Sequence, residues 1–344
     1  MLRLSVLDQS PISEGSSAAE ALHNTIDLAR LTDELGYFRY WVAEHHGTPM
    51  LAGPSPEALI GPIAAATSRV RVGSGGVMLP HYSPLKVAEN FSVLSGLFPG
   101  RIDLGIGRAA GTDPLTTFAL QRDRRQAGPD DFPEQLGELL GYLHGNLPED
   151  HPFVRHATLL GHAETADPWL LGSSAQSAIW AAELGLPYVF ADFINSAGAE
   201  LAALYRDRFV PSDRLSEPQL VVATWALCAD TAAEAERLAS SSRMAMSLLR
   251  RGHLIPVPTV ATAERFLAEH ASTLTGIAPR RRVILGDPAT VRSGIEAVAR
   301  EYAADEVMVV TITYDHAARR HSYELIAGAF QLGQPATTGP GVYS

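Results

Sequence analysis

An acidic residue and two histidines stand directly after an apolar run that is predicted to be a β-strand. In WVAEHHGTPMLAG they are Glu44, His45 and His46. Imidazole has a pKa near 6.5, so a histidine held in a cleft can move a proton at neutral pH. If the strand continues, neighbouring histidines point to opposite faces, and at most one of them faces a pocket. A solvated loop is the competing interpretation.

Three other chemistries lack the residues they need. Metal ligands on one strand occur at i and i+2, and no His-x-His occurs in the sequence. Lys86 is the only lysine and falls in a predicted helix, so a Schiff-base lysine inside a barrel is missing. The G-x-S-x-G pattern of serine hydrolases is absent as well. We therefore predict no metal site and no covalent hydrolase.

Two segments could hold an anion. RIDLGIGRAAGTD ends a predicted strand, and Arg108 supplies a cation beside glycines, which suits a phosphate. LGSSAQSAIW places Ser173, Ser174 and Ser177 at a helix start, where N–H groups and hydroxyls attract an anion. Ordinary N-capping accounts for one of these serines. The glycine spacing G-x-G-x-x-x-G is only a weak dinucleotide fingerprint.

Two of these features have structural alternatives. An ion pair with Asp103 or Asp113 would fix Arg108 in the loop after its strand. In RVGSGGVMLP, Gly75 and Gly76 permit either a bulged strand or a close approach of the backbone to a flat ligand.

Short apolar runs alternate with longer segments of helical period along most of the chain. This pattern is typical of a parallel sheet with helical crossovers. The predicted strands are Leu2 to Leu7, Phe38 to Ala43, Val70 to Val77, Ile102 to Ile106, Trp169 to Leu171, Tyr188 to Ala191, Leu220 to Leu227 and Val307 to Ile312. An open doubly wound sheet would show the same alternation, but a count of eight favours a closed (β/α)8 TIM barrel.

Two intervals are longer than an ordinary βα unit. Residues 110–168 and 230–306 are predicted insertions after strands 4 and 7. The composition does not break between them, so we expect a single domain over residues 1–332. Residues 333–344 are rich in Gly, Pro and Thr and are expected to be a disordered tail.

Composition excludes several kinds of partner. The net charge of −11 argues against nucleic acid. Cys228 is the only cysteine and lies in an apolar run, so it predicts a buried, inert thiol. Neither a signal peptide nor a long apolar segment is seen, and we expect a cytoplasmic protein without a membrane partner.

Several strings together resemble one family in the same order. They are LDQSP, WVAEHH, VGSGGVMLPHYSPLKVAE, LFPGRIDLGIGRAAGTD and LGSSAQSAIWAAELGLP. This chain resembles the bacterial luciferase-like flavin-dependent monooxygenases, and among them the non-luminous members. The resemblance implies FMN at the carboxyl ends of the strands, and it places the family's mobile loop at residues 250–282.

The resemblance also assigns roles to residues. His45 falls at the family's catalytic position. The residues implied for cofactor binding are Glu44, Gly75, Gly76, Arg108, Ser173, Ser174 and Ser177, and those implied for the substrate pocket are Gln9, His46 and His81. In some family members the small residues that match Gly75 and Gly76 are joined by a non-prolyl cis peptide.

The expected reaction is oxygenation of a small organic substrate by oxygen and reduced FMN, which a separate flavin reductase supplies. We also expect a homodimer. A deazaflavin-dependent dehydrogenase or reductase on the same fold is the nearest alternative. A non-catalytic flavin-binding protein is a second alternative, although flavin storage requires no histidine at the ring.

Overall fold

Eight parallel strands close into a barrel in the computed structural model, which describes residues 2–108, 113–121, 131–156, 165–270 and 282–333. The strands are β1 (Arg3–Asp8), β2 (Arg39–Val42), β3 (Arg71–Met78), β4 (Ile102–Gly107), β5 (Asp167–Gly172), β6 (Tyr188–Ala191), β7 (Leu220–Cys228), β8 (Val283–Gly286) and β9 (Glu306–Val310). Strands β1 to β7 pair in chain order, and β9 pairs with both β7 and β1. The predicted (β/α)8 barrel is confirmed.

One strand was not predicted from the sequence. β8 lies outside the closed barrel and pairs with the last part of β7, from Trp225 to Cys228. β7 is nine residues long and β6 covers only its first part, so the rest of that edge is available to β8.

Helices surround the barrel and follow the predicted order. They are α1 (Ala18–Leu35), α2 (Pro56–Ala66), α3 (Pro84–Leu97), α4 (Pro114–Leu120), α5 (Phe132–His144), α6 (Ala175–Glu183), α7 (Ala199–Asp207), α8 (Ala232–Leu249), α9 (Val260–Glu269), α10 (Pro288–Tyr302) and α11 (His316–Phe330). The helix α1 begins and ends with capping residues. Ser17 accepts a hydrogen bond from the N–H of Glu20, and Gly36 ends the helix in the left-handed conformation. None of the described helices is long and apolar enough to cross a membrane.

Alternate residues of each strand face the barrel interior, which is polar at its amino end. There Arg39 donates hydrogen bonds to Asp103 and Glu306, all three being almost fully buried. Trp41 and Trp169 fill the next level, with their rings 5.6 Å apart and edge to face. Buried charges are tolerated only when they are paired, as these three residues are. The paired charges and the two tryptophans fill the amino end of the barrel.

The carboxyl end of the barrel is covered by the insertion after β7. Ala245 and Met246 of α8 pack with Val257 against the apolar interior of the barrel. Val257 also forms a β-bridge with Ser13 in the loop after β1. The predicted mobile loop, residues 250–282, is described only at 250–270 and 282. The predicted tail lies outside the described residues except for Gly333.

Candidate active site

A cavity of about 480 Å³ opens at the carboxyl ends of the strands. Interior positions that are bulky lower in the barrel are small here. The small lining residues are Ala43 of the loop after β2, Gly75 and Gly76 of β3, Gly107 of β4, Ala191 of β6 and Ala223 of β7. Their missing side chains leave room for a flat ligand between the strand ends.

His45 lies in the wall of this cavity, just past β2. Its ring is half-buried, and Nδ1 is fully buried with no hydrogen-bond partner in the described part of the chain. Burial lowers the pKa of His45 to about 4, and the neighbouring His46 contributes to the shift. The imidazole is therefore neutral at pH 7, and Nε2 is the ring nitrogen that a ligand can reach.

Glu44 also lines the cavity, but its carboxylate is occupied by protein donors. It is 1% exposed and accepts hydrogen bonds from the backbone N–H of Met78 at 2.9 Å and from the Tyr82 hydroxyl at 2.9 Å. His46 Nε2 lies 2.7 Å from the same carboxylate. Glu44 thus ties the end of β2 to the end of β3, and its direct effect is to hold His45 and the β3 backbone in place.

The predicted substrate-pocket residues separate into two places. Gln9 lines the cavity, whereas His46 and His81 do not. The imidazole of His46 is turned towards Glu44, and the ring of His81 packs edge-on against it at 5.9 Å. The structure therefore places these two histidines behind the cavity wall.

Gln9 owes its position to a buried network at the end of β1. The next residue, Ser10, has a left-handed φ of 49°. Its N–H donates to Asp8, and Asp8 also accepts hydrogen bonds from Tyr40 and Arg319. The sharp turn that results directs the chain across the mouth of the barrel.

Gly75 and Gly76 interrupt β3 where it passes the cavity. The register with β4 shifts between Ser74 and Val77, and the Gly75–Gly76 peptide bond is cis. A Cβ atom on Gly75 would lie 2.4 Å from a methyl of Leu7, so no larger residue fits this position without a shift. The predicted bulge and the close approach of the backbone to the cavity therefore occur together.

Arg108 and the start of α6 line the same part of the cavity. The guanidinium of Arg108 lies 5.5 Å from the ring centroid of Trp180 in α6. Asp103, one proposed partner of Arg108, is buried at the other end of β4, where it accepts hydrogen bonds from Arg39 and Arg71. Five residues of strand separate the two positions by about 16 Å, so Asp103 does not hold Arg108.

Ser173, Ser174 and Ser177 all line the cavity, and two of them cap α6. Ser174 and Ser177 form a capping box, and the Ser177 hydroxyl also lies 2.9 Å from the hydroxyl of Tyr188. Capping therefore involves two serines rather than one. The helix start still faces the cavity beside Arg108, as an anion site requires.

The remaining lining residues were not singled out from the sequence. They include Phe132 of α5 and the adjacent Phe193 and Ile194 of the loop after β6. No sequence pattern marks them, because their place depends on how these segments pack over the strand ends. Gly107 could have been identified, because alternate residues of a strand face the same side and Asp103 and Gly105 of β4 face the barrel interior.

The described residues contain no group of three or more His, Cys, Asp or Glu side chains that could hold a metal. Cys228 is buried, and burial raises its pKa to about 12, which matches the predicted inert thiol.

Barrel, cavity and strand-end histidine together define a (β/α)8-barrel enzyme with its site at the carboxyl ends of the strands, and comparison with known proteins identifies the family. Residues 2–306 match the model of the luciferase-like monooxygenases, and the chain belongs to that family. N-acetyl-S-alkylcysteine monooxygenase of Bacillus subtilis (strain 168) is 38% identical over 334 residues, covering 96% of this chain and 98% of the relative.

Solved structures agree with this assignment. The crystal structure of apo-MsnO8 is 40% identical and superposes with a TM-score of 0.87, covering 97% of this chain and 99% of that one. The oxygenating constituent of 3,6-diketocamphane monooxygenase from Pseudomonas putida, solved with FMN, shares the fold at a TM-score of 0.70 and 21% identity, covering 95% of this chain and 97% of that one. The predicted family and its oxygenase activity are thus confirmed.

Proposed function

We propose that this protein is an FMN-dependent monooxygenase that uses oxygen and reduced flavin from a separate reductase to oxygenate a small organic substrate. One observation carries the proposal. A single cavity has a cation and a helix start at one side, small residues at the strand ends, and a half-buried, neutral histidine in its wall.

The cavity has the features that FMN requires. Arg108 and the α6 start offer one site for a monophosphate, and among the described residues no second anion site lines the cavity for the pyrophosphate of FAD. The nearest described neighbour of a Cβ atom on Gly107 would lie 3.9 Å away, which leaves space for a ligand beside this glycine. A flat ring system fits between such strand ends.

Reduced FMN held by Arg108 and the α6 start would supply the two electrons for oxygen activation, and one oxygen atom would enter the substrate while the other leaves as water. The protein's own residues bind, orient and exclude water. His45 Nε2 accepts or donates the proton at the reacting centre, because the imidazole is neutral and accessible from the cavity. Glu44 keeps that histidine and the β3 backbone in register and acts as a positioning residue.

The walls of the cavity reduce the access of water to the reaction. Leu7, Leu171, Phe193 and Ile194 provide apolar surface around the polar groups. Removing water strengthens each hydrogen bond within the site and protects a reactive intermediate from hydrolysis. The similarity to N-acetyl-S-alkylcysteine monooxygenase, at 38% identity, supports oxygenation over a deazaflavin-dependent hydride transfer.

The test is anaerobic titration of the whole protein with reduced FMN, FAD and NAD. We expect reduced FMN to bind at least tenfold more tightly than the other two. Tight binding of FAD without preference for FMN, or no binding of any flavin, would contradict the proposal. In a second measurement, the protein is supplied with a flavin reductase, FMN and ¹⁸O₂. An N-acetyl-S-alkylcysteine is the first candidate substrate, and a single ¹⁸O atom is sought in the product.

The proposed subunit arrangement is a homodimer, as the family resemblance implies. The supporting measurement is a molar mass in solution of twice 36.8 kDa.

A further inference from the structure

A second opening of about 1000 Å³ lies at the same end of the barrel as the cavity, beside α8 and α9. We call it the arginine groove, after the four arginines that line it: Arg243, Arg250, Arg251 and Arg282. Glu236 is the only acidic residue among the described residues of the lining, whereas the chain as a whole carries a net charge of −11. The groove is therefore a positively charged region on an acidic protein.

Two of the four arginines already have carboxylate partners. Arg243 lies 2.5 Å from Glu236, and Arg282 lies 2.7 Å from Glu301. Arg250 and Arg251 form no ion pair with any residue that the structure describes, and both are exposed. Adjacent, unpaired guanidinium groups offer several N–H donors to a carboxylate, sulfonate or phosphate oxygen.

The arginine groove and the cavity share a wall. Trp225 lines the groove and Phe193 lines the cavity, and their rings pack edge to face at 6.1 Å. Ala223, two residues before Trp225 on β7, faces the cavity. The distance along the strand between these two positions is about 7 Å, so the two spaces are separated by little more than the rings of Trp225 and Phe193.

We infer that the arginine groove binds the anionic group of the substrate, through Arg250 and Arg251, while the apolar part of the same molecule passes Trp225 into the cavity. The substrate is then an organic anion rather than a neutral compound. Charge-assisted contacts in the groove orient the molecule, and the apolar walls receive the group to be oxygenated. This inference rests on the proposed function, because the cavity is the reaction site only if flavin binds there.

The test uses two probes of equal chain length that differ in charge, octanoate and 1-octanol. Their dissociation constants are measured by calorimetry with the full-length protein. In the wild type we expect octanoate to bind about tenfold more tightly than octanol, with a preference that falls as salt is added. The double variant Arg250→Ala/Arg251→Ala should bind both probes equally.

The matched control is Arg208→Ala/Arg300→Ala, which removes two exposed arginines whose ion pairs are long, at 3.8 and 3.9 Å, and which lie outside the groove. This control should keep the tenfold preference, because it changes the net charge equally but leaves the groove intact. Loss of the preference in the control as well would show a general charge effect and overturn the inference.

FMN binding separates this inference from the proposed function. The affinity for reduced FMN should be the same in Arg250→Ala/Arg251→Ala and in the wild type. If that affinity falls more than tenfold in the variant, the groove holds the flavin phosphate and the inference is wrong. If FMN binds nowhere but the octanoate preference still depends on the two arginines, the proposed function fails while the groove remains an anion site.

Discussion

The guanidinium of Arg108 lies over the ring of Trp180, 5.5 Å from its centroid, which holds the cation at the end of β4 beside α6. This contact brings together two sequence segments that are separated by a long insertion. A cation–π contact of this kind uses the face of the guanidinium, whereas its N–H donors lie at the edge of the group.

Replacing Arg108 by alanine should weaken FMN binding by about 10- to 100-fold, since a charged hydrogen bond contributes about 1.5–3 kcal/mol. Riboflavin binding should hardly change, because riboflavin has no phosphate. Titration of both flavins against wild type and variant measures the difference. Equal weakening of the two flavins, together with a lower melting temperature, would mean that Arg108 only fixes its loop. Arg208→Ala is the matched control for loss of an exposed arginine.

His45→Ala should lower oxygenation by roughly 100-fold or more, the usual effect of losing a positioned acid–base group. FMN affinity and folding should be nearly unchanged, because His45 Nδ1 makes no hydrogen bond to any described residue. Single-turnover rates and FMN titration together provide the test. Full activity in this variant would remove His45 from the mechanism.

Gly107→Phe should abolish flavin binding without unfolding the barrel. Among the described residues, the Cβ of a residue at this position would meet only the carbonyl oxygen of Val77, at 3.9 Å, so the added ring extends into the cavity. Circular dichroism should report a native fold while calorimetry shows no FMN binding. The control is Gly107→Ala, which adds one methyl group and should bind FMN within a few-fold of wild type.

The burial of His45 should lower the free energy of unfolding of the flavin-free protein at acidic pH. Its pKa is about 4 in the folded state, below the ordinary value of 6.5, so the unfolded chain binds a proton that the folded chain does not. Above pH 6.5 the free energy of unfolding is unaffected by His45, and it falls as the pH decreases from 6.5 to 4. The full decrease is about 3 kcal/mol.

This cost is measured by urea unfolding at pH 7.5 and pH 5 for the wild type and for His45→Asn. The wild type should lose more stability than the variant on acidification, because asparagine does not titrate in this range. The same loss in both proteins would show that His45 is not the group responsible.

Much of the fold could be predicted from the sequence, because each barrel strand is an apolar run that a helix of clear period follows. All eight barrel strands were predicted. The strand β8 was not, since Val283–Gly286 is four residues long and forms only because the end of β7 is left unpaired. Pairing of that kind depends on the lengths of neighbouring strands in space and leaves little signal in the local sequence.

The candidate site was less predictable than the fold. The position of Glu44 at a strand end is visible in the sequence, but its donors come from Met78 and Tyr82, more than 30 residues later. This carboxylate also turns His46 away from the cavity. The contacts of Glu44 with Met78, Tyr82 and His46 thus determine which of the two adjacent histidines faces the cavity. Strand alternation alone does not show this.

The bond between Asp8 and Arg319 joins residues that are 311 positions apart. Arg319 lies in α11, whereas Asp8 fixes the turn that carries Gln9 across the cavity. During synthesis the chain emerges amino end first, so this turn lacks its buried counter-charge until the residues up to α11 have left the ribosome. The mouth of the barrel is consequently completed only after α11 has emerged, and a chain stopped before α11 would have a barrel entrance that is not yet shaped for a ligand.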